Sequence, residues 1–180
     1  MGQTGDEQEW IRLSREGRHE AFEALVTRYQ AMIHSLTYRM TGSMSDSEDL
    51  AQETFIQAYR QLAGFRGEAS FSSWLYRIGI NLCLNWRKRN ERRQQLHEEL
   101  AQEEPAVRRM EEELSDAIQQ ALLELDPKQR AAIVLTVYEG LNHAEAARAL
   151  GCTEATVSWR VFVARQKLKR LLEPKLRQTR

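Results

Sequence analysis

Cysteine, proline and glycine are all scarce in this chain of 180 residues, which holds two, three and nine of them. So little glycine and proline excludes a collagenous or low-complexity fibre. The two cysteines, Cys83 and Cys152, stand 69 positions apart, without the close spacing of a zinc site or redox motif. Their expected state is reduced, each buried or neutral. No apolar run approaches the ~18 residues that a membrane span needs. The first residues, Met1 to Trp10, are polar and lack the apolar core of a secretory signal, so the expected location is the cytoplasm. The four histidines, His19, His34, His97 and His143, are scattered. Paired carboxylates and a phosphate-cradling glycine loop are both missing, so no enzyme, metal or cofactor is expected.

Net charge is also missing, since 26 basic and 26 acidic side chains cancel. The cancellation hides a pattern. Residues 1–76 carry a net −4, residues 77–93 +5, residues 94–116 −6, residues 117–155 −2 and residues 156–180 +7. Two basic blocks flanking an acidic one suggest two polyanion-binding surfaces with a repulsive segment between them. Either block alone reads equally well as a solvated helix face.

What is present is helical periodicity. From Arg18 to Thr41, apolar residues at Phe22, Leu25, Val26, Tyr29, Met32, Ile33, Leu36 and Met40 form one stripe, and Gly42 closes the helix. Ser45 and Glu48 have the spacing of a capping box for a second helix through Leu50, Phe55, Ala58 and Leu62, which Gly64 stops. After a loop from Phe65, Ser70 can cap a third helix with Phe71, Trp74, Leu75, Ile78 and Leu82 on one face. Between Gln94 and Glu113 the stripe fails in a Glu- and Gln-rich run containing Pro105, which reads as a linker. Helical spacing resumes at Leu114, with Ile118, Leu122 and Leu125. Asp126 then caps a helix with Pro127 at its first position and Ile133, Val134, Val137 and Tyr138 following. The fold class is therefore all-α.

The last stretch carries the sharpest motif. Asn142 and Glu145 form a capping box for a short helix that Gly151 ends. Thr153 can cap another helix directly, with Val157, Val161, Ala164, Leu168 and Leu171 as its buried stripe. Two helices joined by so short a turn fit a helix-turn-helix. At about 100° per residue, Ser158, Trp159, Phe162, Gln166 and Lys169 lie opposite the buried stripe, flanked by Arg165. A polar, aromatic and cationic face near a helix start suits the DNA major groove. The aromatics could instead pack on another helix or subunit.

The first half holds a second candidate. Phe65, Arg66, Phe71, Trp74, Tyr76, Arg77, Asn81 and Trp86 combine with the +5 block. Rings interleaved with cations suit single-stranded nucleic acid, and small polar groups such as Ser70, Ser72 and Ser73 suit base edges. Taken singly, Phe71 and Trp74 read as core.

Three stretches, EDLAQETFIQAYRQL, FRGEASFSSWLYRIGINL and LNHAEAARALGCTEATVSWRV, resemble bacterial RNA polymerase sigma factors of the extracytoplasmic-function (ECF) group, over about Glu9 to Leu172. The resemblance implies two small helical domains: sigma-2 over 9–93 and a helix-turn-helix sigma-4 over 114–176, joined by a flexible acidic linker at 94–113. It implies a transcription initiation factor whose partners are core RNA polymerase and promoter DNA. Sigma-2 would meet the polymerase β′ coiled coil through Asp49, Gln52, Glu53 and Phe55, and sigma-4 the β flap. Phe65, Arg66, Ser70, Phe71 and Trp74 match the −10 melting loop and its border, and Arg77, Asn81, Arg87, Lys88 and Arg89 match the adjoining −10 helix. Thr156, Ser158, Trp159, Arg160, Phe162 and Arg165 fall on the −35 recognition helix. There the chain departs from the family's pattern, which usually carries a cation at the positions of Ser158 and Val163 and a small polar residue at that of Trp159. Many relatives are held by an anti-sigma factor, often membrane-anchored, so such a partner is expected. Related linkers thread polymerase channels, so the acidic run could mimic nucleic acid or serve as a plain tether. A stand-alone dimeric helix-turn-helix regulator is the alternative, and it would leave the first half without a task.

Overall fold

The structure is a computed structural model that describes the backbone over residues 3–94 and 110–178 and side chains over 6–90 and 114–174. The expected linker lies largely outside the described residues, and so do the side chains of Arg92 and Arg93. Eight α-helices make up the described chain: α1 (Gln3–Arg15), α2 (His19–Thr41), α3 (Met44–Gln61), α4 (Phe71–Gln94), α5 (Met110–Leu123), α6 (Pro127–Ile133), α7 (His143–Leu150) and α8 (Glu154–Gln178). No strand occurs among the described residues, and no described helix is long and apolar enough to cross a membrane.

α2, α3 and α4 pack on one another around Leu25, Ile33, Leu36, Leu50, Ala58, Leu75 and Ile80, all buried. Gly79 permits the closest approach, since a Cβ there would sit 3.1 Å from Leu36 Cδ2 and 3.4 Å from Thr54 Oγ1. α1 lies along α2, with Ile11 buried and the Tyr29 hydroxyl donating to the Glu7 carboxylate. Sequence periodicity did not reveal α1, because its run is polar and holds Gly5.

The second half is built on small residues. Ala131 and Ala132 of α6, Ala146, Ala147 and Ala149 of α7, and Val157, Val161 and Ala164 of α8 are buried. Short side chains let three helices converge tightly. Asp126 Oδ1 accepts from Lys128 N and Gln129 N, and Asn142 and Glu145 form both halves of a capping box.

Two expectations need correction. The cap of α3 is Ser43, which accepts from Asp46 N, and Ser45 lies inside the helix. Val137 and Tyr138 do not continue the apolar stripe. Residues Val134–Tyr138 form a π-helical turn, with Glu139 N donating to Val134 O at 3.0 Å. The wider turn rotates Val137 and Tyr138 to the surface, where Arg39 lies over the Tyr138 ring, 4.3 Å from its centroid.

The halves touch. α5 packs on α2 and α7 on α4. Gln119 Nε2 donates to Tyr38 O at 3.1 Å, and Tyr76 Oη to Glu139 Oε2 at 2.7 Å. Arg130, only 1% exposed, donates to Leu122 O, to Leu123 O and, across the boundary, to Met40 O. It ties together the carbonyl ends of α5 and α2, where the helix dipole favours a cation. Burial, helped by the charge of Arg87, pulls its pKa down to about 10, which leaves it charged at neutral pH. Its position in the apolar run Arg130-Ala-Ala-Ile-Val is the only sequence signal it gives.

Candidate nucleic-acid and polymerase interfaces

Three surfaces stand out. The first is a groove of about 970 Å³ between α2 and α3. Phe22, Val26, Phe55, Ile56 and Tyr59 form its apolar floor, and Glu48, Gln52 and His34 its polar edge. Phe22 meets Tyr59 edge-on at 4.9 Å, and the Tyr59 hydroxyl lies 3.1 Å from His19 Nδ1. Of the four expected polymerase-binding residues, Gln52 and Phe55 line this groove. Asp49 is exposed on the same helix outside it, and Glu53 accepts from Gln57 Nε2 at 2.8 Å. Sequence reading missed Phe22, Val26, Ile56 and Tyr59, because a stripe wider than the core needs looks identical to core until helices are packed.

The second surface is the loop before α4 and the outer face of that helix. Ser70 caps α4, with Ser73 N donating to its Oγ at 3.2 Å. Phe65 and Phe71 do not face solvent. They are buried, 5.6 Å apart and edge-on, with Trp74 packed 5.1 Å from Phe65 and 5.5 Å from Phe71. Of the three rings expected to meet DNA, Phe65 and Phe71 are buried and Trp74 is half-buried, and Phe65 and Trp74 both line the cavity beside them. Tyr76 is buried, and Trp86 Nε1 donates to Asp46 Oδ1 at 3.1 Å, fixing α4 to the start of α3. Arg66, Glu68, Trp74 and Arg77 line a cavity of about 350 Å³, to which Arg148 and Ala149 of α7 contribute from the other half. Asn81 is exposed in an adjoining cleft with Lys128, Cys152 and Arg160. Lys88 and Arg89 are exposed further along, and Arg87 is half-buried.

The third surface is α8. Thr156 N donates to Thr153 Oγ1 at 3.2 Å, which caps the helix. Ser158, Trp159, Phe162, Gln166 and Lys169 are exposed as the periodicity predicts, with Arg165 beside them. Ser158 Oγ lies 2.8 Å from His143 Nδ1 of α7, and Arg160 turns inward, its Nη1 3.5 Å from Cys152 Sγ. Both cysteines are free, and burial pushes the Cys83 thiol up to about 12. No cluster of three metal-ligating side chains occurs among the described residues.

Comparison with known proteins accounts for both halves. The Sigma-70 region 2 profile matches residues 25–93, and the Sigma-70 region 4 profile residues 115–168. The RNA polymerase sigma-H factor of Pseudomonas aeruginosa is 33% identical, with 99% of each chain covered. The ECF RNA polymerase sigma factor SigM of Mycobacterium tuberculosis is 36% identical over 87% of this chain and 79% of its own. Among solved structures, the sigma factor RpoE of Bartonella quintana, in complex with the anti-sigma factor NepR, superposes with a TM-score of 0.71 at 25% identity, covering 84% of this chain and 96% of its own. The chain belongs to the ECF group of RNA polymerase sigma factors. Its function is accordingly that of a transcription initiation factor that directs RNA polymerase to promoters. A lone helix-turn-helix regulator would leave the region 2 match unexplained.

Proposed function

We propose that residues 9–93 act as a sigma-2 domain, 94–113 as a tether and 114–176 as a sigma-4 domain, each with its own contacts. The α2–α3 groove docks core polymerase on the β′ coiled coil. Its apolar floor suits the apolar stripe of a partner helix, and Glu48 and Gln52 suit basic and amide groups beside that stripe. The Arg66, Trp74, Arg77 and Asn81 face takes an unpaired base of the −10 element, with Lys88 and Arg89 on the backbone. α8 takes the −35 duplex, while sigma-4 also meets the β flap. The chain works by binding, without covalent chemistry of its own, in the cytoplasm. An anti-sigma protein is the natural competitor for the groove, as RpoE was solved with the anti-sigma factor NepR.

The observation that carries this reading is the pairing of an α4 face that presents Trp74 between Arg66 and Arg77 with a basic helix α8 in one chain. The test is run-off transcription from a genomic fragment library by core polymerase with and without the protein. Discrete new start sites that require the protein are expected. Tight binding of the free protein to an inverted repeat, with no effect on initiation, would refute it. A second measurement checks the groove. Glu48→Arg with Gln52→Arg should leave the circular dichroism unchanged and weaken core binding by about 2–5 kcal/mol, the range for disrupted interface charges. Unchanged affinity would move the docking surface elsewhere.

A further inference from the structure

The exposed face of α8 is short of hydrogen-bonding groups where a recognition helix enters the groove. From its start to Phe162 it exposes Glu154, Ala155, Ser158, Trp159 and Phe162. The Ser158 hydroxyl is engaged by His143 at 2.8 Å. Arg160, the first cation of the helix, is turned toward Cys152 and half-buried. Past Glu154 at the very start, what remains is apolar: Trp159 is 60% exposed and Phe162 62%, the most exposed large apolar side chains among the described residues. Aromatic rings left in water one turn apart point to a partner.

The charge around the rings selects that partner. Between Glu154 and Glu173, the acidic residues at either end of this stretch, the sequence holds the cations Arg160, Arg165, Lys167, Lys169 and Arg170 and no further acid. A partner that covers the rings must therefore be densely anionic close to an apolar spot. The DNA major groove is such a surface, with phosphates along both walls. The one apolar group on its base edges is the thymine C5-methyl.

We propose that Trp159 and Phe162 read thymine methyl groups in the upstream promoter element, so that selectivity there comes from apolar contact in place of hydrogen bonds. This rests on the assignment of α8 as the −35 helix. Residues three apart on a helix have Cβ atoms about 5–6 Å apart. Base pairs rise about 3.4 Å. The two rings therefore reach thymines one to two base pairs apart. Arg165 and Lys169, on the same side, hold the flanking phosphates and fix the depth of entry.

The test uses the holoenzyme and two pools of promoter duplexes that are randomised over the upstream element and identical elsewhere. One pool carries thymine in the randomised window and the other deoxyuridine, which pairs identically and lacks the methyl. Wild-type holoenzyme should enrich two nearby thymines from the first pool and show no matching preference in the second. On a selected site, each thymine-to-deoxyuridine change should lower affinity about fourfold, the value of one buried methyl. Trp159→Ala and Phe162→Ala should each abolish that difference at one position and leave core binding unchanged. Equal binding of thymine and deoxyuridine sites by a holoenzyme that still initiates would overturn the inference and leave the sigma-factor assignment standing. So would variants that lose core affinity with no change in thymine preference, since the rings would then face protein. A protein that supports no initiation from any fragment would overturn both.

Discussion

Cys83 shows how burial becomes a pH dependence. Its thiol is enclosed by the first-half core, and burial raises its pKa from 9.0 to about 12. A raised folded-state value means that the neutral thiol is favoured in the fold. The associated stability is complete below pH 9, and it falls as pH rises from 9 towards 12, where the unfolded chain alone has lost its proton. Urea midpoints measured from pH 8 to 11 should decline. Cys83→Ala should flatten the decline most clearly around pH 9, where tyrosines in the unfolded chain are still about nine-tenths protonated. Above pH 10, Tyr29 and Tyr76, also raised chiefly by burial, add slopes of the same sign. An unchanged slope in Cys83→Ala would show that the thiol reaches water. Asn81 gives a functional counterpart. It is exposed on a helix otherwise rich in buried residues, so Asn81→Ala should shift stability by less than about 0.5 kcal/mol. Permanganate-reactive thymines near the start site should diminish, and a pre-melted template should restore transcription. Normal melting on duplex templates would make Asn81 a bystander. The same neighbourhood marks the limit of a sequence reading. Phe65, Phe71 and Trp74 read alike as aromatic residues near cations, yet only packing decides that two are buried and one half-buried.

At the scale of elements, local chemistry was legible wherever it is local. Gly42 at φ 74° and Gly151 at φ 61° end their helices as the sequence predicts, because left-handed backbone favours glycine. Asp126, Asn142 and Thr153 cap theirs because their oxygens reach amides two or three residues on. Ser43 and Ser45 could serve equally by type, and the turn after Gly42 decides for Ser43. The π turn at Val134–Tyr138 had no local signal, since its apolar spacing simply continues that of α6, and the turn leaves Tyr138 at the surface under Arg39. Gly42 has a further duty across the halves, because any Cβ there would run into the Leu123 side chain of α5. The capping box of α7 offers a measurable case. Asn142→Ala removes the acceptor for Glu145 N at 2.9 Å and should cost about 1 kcal/mol in denaturant unfolding. Asn142→Asp should recover most of it, since Asp caps as well as Asn. A loss in Asn142→Ala below about 0.3 kcal/mol would show that packing on α4, and not the cap, holds α7.

At the scale of the molecule, the proposed −10 face of α4 lies against the second half, while the outward face of α8 stays exposed. α7 sits on α4, Arg148 lines one side of the cavity formed with Arg66, Trp74 and Arg77, and Cys152 and Arg160 share a cleft with Asn81. Arg148 and Ala149 narrow access to that cavity, so on the proposed reading engagement of the −10 element is favoured when the halves part. No local motif announces this contact, because its members are single polar groups far apart in sequence. Tyr76 meets Glu139, and Gln119 meets the end of α2. Each such hydrogen bond contributes roughly 0.5–1.5 kcal/mol. Tyr76→Phe with Gln119→Ala should therefore shift the closed–open balance by about 1–3 kcal/mol, close to tenfold for each 1.4 kcal/mol. Arg130 would stay charged and keep its carbonyl partners within α5, so the second half should remain folded when it leaves α2. In the free double variant, hydrogen exchange should accelerate along α4 and α7, and dyes placed on the two halves should report a longer mean distance. The same variant assembled on core polymerase should transcribe at least as well as the wild type, because the lost contacts are ones that binding already breaks. Unchanged exchange in the free protein would mean that apolar packing alone closes the halves. A fall in transcription by the preassembled holoenzyme would mean that the Tyr76 and Gln119 contacts persist on the promoter.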